Sequence, residues 1–118
     1  MQQIPKIAIV DPNTLAAIGL KGVLQNVMPI MMVDSFGTFA ELEMNHPEEY
    51  EHFFVAMTIV LDNSDFFLNY RRRTIVLTTS VESMMDGFHC LCINVPEKQL
   101  IRSLLSLQQE HPYHLPFP

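Results

Sequence analysis

Glycine is scarce in this sequence, with four residues among 118. That excludes a phosphate-cradling loop, because the P-loop and the dinucleotide fingerprint each need several glycines at fixed spacing. Cysteine is scarcer still. Cys90 and Cys92 sit in one apolar run and do not form a disulfide framework, so a reducing compartment, the cytoplasm, is expected. Basic residues are few: 7 Lys and Arg against 13 Asp and Glu leave a net charge of −6. A chain without a basic face does not bind nucleic acid by itself. The segment Met1 to Lys6 has no apolar signal core, and no apolar run is long enough to span a membrane. No Ser-His-Asp or Cys-His order rises above chance.

What is present suits one domain with a core of its own: apolar residues make up 48% of the chain. Lys6–Val10 is a short, nearly continuous apolar run of the kind buried on both faces of a parallel sheet. Asp11-Pro12-Asn13 ends it. The spacing of Leu20, Val23, Leu24 and Val27 predicts a helix from about Thr14 to Asn26, stopped by Pro29. Met31–Val33 reads as a short strand. Thr38 with Glu41 is a capping-box pattern that opens a helix over Phe39 to Asn45. Phe53 to Leu61 is apolar and rich in strand formers, so a third strand is expected there, followed by one or two helical turns over Ser64 to Arg71. Thr74–Leu77 is a fourth strand, Ser80 to Met85 a short helix with Gly87 at its carboxyl cap, and Phe88 to Ile93 a fifth strand. Pro96 opens a last helix with Leu100, Ile101, Leu104 and Leu105 as its stripe. The Pro-rich segment 110–118 reads as a tail or linker after a domain over 1–109.

Strand and helix alternate five times. That order predicts an α/β, doubly wound parallel sheet with right-handed crossovers and flavodoxin-like strand order 2-1-3-4-5. Its crevice lies at the carboxyl ends of the strands, where Asp11, the residues after the third strand and Thr78 meet.

Val10-Asp11-x-x-x-Leu15-x-x-x-Gly19-Leu20-Lys21-x-x-Leu24 resembles the first strand and helix of the receiver domains of bacterial response regulators, especially those joined to a LuxR-type helix-turn-helix. Val76-Leu77-Thr78 and Leu100-x-x-Ser103-Leu104 add to the likeness, which covers roughly residues 6 to 108. The resemblance implies a pocket with two acidic residues after strand 1, a phosphoacceptor Asp after strand 3, a hydroxyl after strand 4 and a Lys after strand 5. Magnesium there takes hard oxygen ligands and neutralises the phosphoryl group. This sequence departs from that pattern. Asp11 matches one of the acidic pair, but its neighbour is Pro12. The phosphoacceptor position falls near Met57, and Thr78 matches the hydroxyl. The Lys position falls among Leu91, Cys92, Ile93 and Asn94, while Lys98 belongs to the following helix. The segments around the third and fourth helices are also short for the family.

The expectation is therefore a pseudo-receiver, a non-enzymatic regulatory module without cofactor. It acts through a protein partner or a weak homodimer, and belongs to the N-terminal part of a LuxR-type transcription regulator whose DNA-binding domain lies beyond this chain. Two other readings stand beside it: a ligand- or metal-sensing domain using the vacated crevice, and a residual phosphoacceptor at Asp62 if the third strand runs to Leu61.

The remaining features have plainer readings. Cys90-x-Cys92 lies on one face of a strand and reads as two small buried residues, since no second pair of soft ligands has zinc spacing. His46, His52, His89, His111 and His114 read as exposed, and Met31-Met32 and Met84-Met85 as core fillers. Arg71-Arg72-Arg73 reads as the solvated entry to a strand, with Phe66-Phe67 covering the sheet.

Overall fold

The computed structural model describes residues 4–80 and 82–110, with side chains through residue 107. Five strands, β1 (Lys6–Val10), β2 (Met32–Phe36), β3 (His52–Ala56), β4 (Thr74–Thr78) and β5 (His89–Cys92), form one all-parallel sheet in the order β2-β1-β3-β4-β5. The expected doubly wound architecture is the one observed. Successive strand residues point to opposite faces, and both faces are apolar. Ile7 and Ile9 of β1 pack with Leu20 and Leu24 of helix α1 (Thr14–Val27) and Leu104 of helix α5 (Glu97–Glu110). Ala8 and Val10 point the other way. They pack with Leu42 of α2 (Phe39–Glu43), Val60 of α3 (Met57–Asp62) and Phe67 of α4 (Ser64–Asn69). Burying a side chain such as Leu24 or Leu104 in this way contributes about 2–3 kcal/mol, enough for a few such residues to fix each helix on its face.

Local chemistry sets the helix starts. The Asn13 side chain caps α1 by accepting the Ala16 N–H at 3.1 Å. Thr38 Oγ1 accepts the Glu41 N–H at 3.2 Å, and Glu41 reaches back to the N–H of Gly37 rather than that of Thr38, also at 3.2 Å. Pro96 stands just before α5, where its carbonyl accepts from Gln99 and Leu100, each at 3.0 Å.

Several expectations are corrected. β3 ends at Ala56, and the β-branched run after it turns into α3, because the flanking strands end at the same level: Val10 pairs with Val55 and Leu77 with Ala56. A longer strand would run past its ladder partners. Asn63 separates α3, which was not expected, from α4, which falls within the expected 64–71. Its amide nitrogen donates to the Ile59 carbonyl at 2.9 Å, closing α3, and its own carbonyl accepts the Phe67 N–H at 3.2 Å, starting α4. β2 is longer than expected and runs on to Phe36, because β1 supplies five consecutive partners from Lys6↔Met32 to Val10↔Phe36. Among the described residues of 80–88 there is no helix. Turns closed by Ser83 N–H to Ser80 O and Phe88 N–H to Met85 O replace it, with Gly87 at φ +86°. A six-residue helix is marginal without an apolar face to bury, and Met84 is 73% exposed. β5 begins at His89, one residue after the expected Phe88. Met32 is likewise exposed, so of the four paired methionines Met31 is a buried core filler and Met85 packs half-buried against the core, while Met32 and Met84 do not fill it. His52, expected on the surface, is 2% exposed within β3, and Cys90 and Cys92 are half-buried. His111 and His114 lie outside the described residues.

Candidate functional site

The carboxyl ends of β1, β3 and β4 open into a cleft of about 310 Å³. Residues at or just after the strand ends are delivered there, as in a doubly wound sheet at the point where strand order reverses. Asp11 and Pro12 follow β1, Met57 follows β3, Thr78 ends β4, and Ile93 follows β5. The four residues singled out in the sequence, Asp11, Pro12, Met57 and Thr78, thus line one cavity.

Asp11 is held from both sides. Its backbone N–H donates to the Phe36 carbonyl at 3.0 Å, and one carboxylate oxygen accepts the Asn13 N–H at 2.8 Å. The side chain is thereby locked at the amino end of α1, whose partial positive charge favours the carboxylate. Thr78 is buried at 3% exposure. Its hydroxyl donates to the Ser80 carbonyl at 3.2 Å, and its own carbonyl accepts the Ile93 N–H at 2.9 Å, tying β5 to the floor of the site. Asp11 is the one ionisable group lining the cleft among the described residues, and no Lys, Arg or His lines it. Lys98 lies in α5 and is not part of the lining.

The donor set is poor for magnesium. Asp11 is the one charged ligand of the described lining, one of its oxygens is engaged by Asn13, and the hydroxyls of Thr58, Thr79 and Ser83 are neutral. Pro12 has no side-chain donor, and the Met57 thioether is a soft ligand that suits other metals. Asp62 does not enter the cleft. β3 ends at Ala56, and Asp62 sits exposed on the last turn of α3, lining a separate depression with Phe39 and Asp65. The condition under which it would follow a strand is not met.

Sequence reasoning missed Asn13, Thr58, Leu61, Thr79 and Ser83, which also line the cleft. The first was legible: an Asp-Pro-Asn run is a turn signal in which the Asp side chain bonds two residues on. Leu61 was hidden by the strand reading of 53–61, since only a helix starting at Met57 returns residue 61 to the cleft.

Other groupings lie elsewhere. Arg71–Arg73 form a 3₁₀ turn at the opposite, amino-terminal pole of the sheet, beside a larger depression of about 530 Å³; Arg73 Nη1 donates to the Tyr50 carbonyl at 3.3 Å. His46, Glu48 and Glu49 cluster on the surface, with His46 Nδ1 3.5 Å from Glu48 and Glu49 paired with Lys6 at 3.6 Å. All three are exposed, as surface ion pairs commonly are.

No family model matches the chain, and no curated protein sequence matches it. Among solved structures, the chain is similar to the signal receiver domain of a DNA-binding response regulator protein (merR) from Colwellia psychrerythraea 34H, with a TM-score of 0.65 and 14% identity over 89% of this chain and 98% of that one. It is also similar to a response regulator receiver protein from Pseudoalteromonas atlantica, with a TM-score of 0.61 and 15% identity over 90% and 98%. With its five-stranded 2-1-3-4-5 sheet, this chain has the fold of bacterial response-regulator receiver domains.

Proposed function

We propose that this chain is a pseudo-receiver: a non-catalytic, cytoplasmic signalling module that regulates by protein contact and without phosphorylation. The observation that carries the reading is the composition of the cleft. Asp11, Pro12, Met57 and Thr78 line one cleft; by the resemblance Asp11 and Thr78 match an acid and the hydroxyl of a receiver, Pro12 and Met57 fall at two carboxylate positions, and no Lys lines the site among the described residues. A phosphoryl group there would lack both its acceptor and its cation. No described helix is long and apolar enough to cross a membrane, which accords with this reading.

The finer part of the proposal follows from the sequence likeness of residues 10–24. The module serves a LuxR-type transcription regulator, reaches DNA only through another domain, and is controlled by a protein partner or by weak self-association. Leu15 and Ile18 support a contact surface on α1, being 80% and 62% exposed. The test is incubation with a small phosphodonor and magnesium, followed by intact mass. No phosphoryl mass gain is expected. A phosphorylated species that Asp62→Ala or Asp11→Ala abolishes would overturn the proposal. Sedimentation at several concentrations reads the dimer, and a strict monomer at high micromolar concentration would leave only a heterologous partner.

A further inference from the structure

The cleft has a polarity that a lost phosphorylation site does not require. Its buried polar atoms are acceptors. Asp11 is 7% exposed, and no Lys, Arg or His among the described residues pairs with it. One of its oxygens takes the Asn13 N–H, and the other accepts from no described group. The Thr78 hydroxyl has spent its proton on the Ser80 carbonyl, so its oxygen can only accept from a ligand. The free oxygen opens on the cleft, where a charged N–H donor can pair with it, and the amino end of α1 offsets only about half a charge. The hydroxyls of Thr58, Thr79 and Ser83 also line the cleft and can donate, but an anion would still meet the charge of Asp11 with no cation of the lining beside it. A positively charged N–H donor would satisfy both. The rest of the lining is largely apolar, with Met57, Leu61, Leu77 and Ile93 forming its walls. A hydrated metal ion would leave those walls wet. At about 310 Å³, the cleft has the volume of about ten waters, so its occupant is small.

We infer that the cleft binds a small organic cation, a primary ammonium or amidinium on a compact apolar body. Its N–H groups donate to Asp11 and Thr78, and its body lies against Met57, Leu61, Leu77 and Ile93. The inference rests on reading this cleft as a regulatory site that takes no phosphoryl group, and it gives the module an input in place of phosphorylation.

The experiment is a heteronuclear NMR titration of the full chain with benzamidine and with 2-phenylethylamine at millimolar concentrations. Benzyl alcohol, benzoate and magnesium chloride are titrated in parallel. The two cations should give saturable shifts at the amides of Asp11, Met57, Thr78 and Ile93, and the neutral and anionic analogues should not. Asp11→Asn keeps an oxygen for the Asn13 N–H but loses the charge, and should weaken binding about tenfold. Met57→Lys places an ammonium of the protein's own in the cleft and should block the amines, which keeps the inference testable if Asp11→Asn does not fold. Absence of saturation, equal binding of benzyl alcohol or benzoate, full affinity in either variant, or displacement of the amine by magnesium would each overturn it. A phosphoryl mass gain removes the pseudo-receiver reading and this inference together. No amine binding without a mass gain removes only this inference.

Discussion

Replacing Met57 by aspartate puts a second carboxylate into the cleft that already holds Asp11. β1 and β3 are adjacent, with Val10 level with Val55, so the residues following them project into the same space. Two carboxylates about 5 Å apart repel by up to about 3 kcal/mol at the effective dielectric of a protein surface. Without metal, Met57→Asp should therefore be less stable than the parent. Magnesium should reverse part of that loss. A site with a dissociation constant of about 1 mM, the weak end for oxygen-ligand cation sites, is stabilised by about 1.4 kcal/mol at about 10 mM magnesium. A domain of 118 residues unfolds with an entropy of about 0.25 kcal/mol/K, so the gain is about 6 °C in Tm. Thermal unfolding with magnesium chloride, against sodium chloride at matched ionic strength, measures it. The parent should not respond, because Asp11 is the only carboxylate lining the cleft among the described residues. A parent that rises as much as the variant would refute the argument that one carboxylate is too few. A variant indifferent to magnesium would refute the placement of residue 57 within reach of Asp11.

Phe67→Ala should cost about 3–5 kcal/mol, because Phe67 is fully buried and meets the rings of Phe66, Phe39 and Phe53 at 5.0, 5.6 and 6.4 Å; urea unfolding reads it, and a loss under about 1 kcal/mol would contradict a buried α4. Burial first, then the 2.8 Å hydrogen bond to Asp34 and the charges of Asp34 and Glu49, push the Tyr50 hydroxyl above its ordinary range. Because the folded value is the raised one, this stabilisation is complete below about pH 10 and is lost as pH rises beyond it. Tyr50→Phe should cost about 1 kcal/mol at neutral pH and flatten the alkaline decline in stability, measured by unfolding at stepped pH. Gly87→Ala should cost about 1–2 kcal/mol through its left-handed backbone alone, since an added Cβ meets nothing within 4 Å; a neutral result in the same urea assay would show that the turn adapts.

The sequence by itself determined the parts whose burial is periodic. β1 and β4 are continuous apolar runs because both faces of a central parallel strand are covered, and α1 and α5 carry apolar residues at helical spacing because each lies on one face of the sheet. Strand order followed from the alternation of elements, which put Asp11 and Thr78 at one end of the sheet; Met57 joined them only through the family resemblance. Tertiary structure decided what lacks a periodic signal. Edge strand β2 contains Asp34 and Ser35, which read as loop until β1 supplies their partners. The run from Met57 to Leu61 has strand composition, yet it coils, because a strand needs neighbours to pair with and the neighbours of β3 stop at its end. The cleft's polarity is also tertiary. A sequence shows that Asp11 is a carboxylate and Thr78 a hydroxyl. Only the folded chain spends the Thr78 proton on Ser80, seats Asp11 on the Asn13 N–H, and keeps every described cation away from them. Hydrogen-bond direction and burial depend on chain segments far apart in sequence, and no local pattern encodes them.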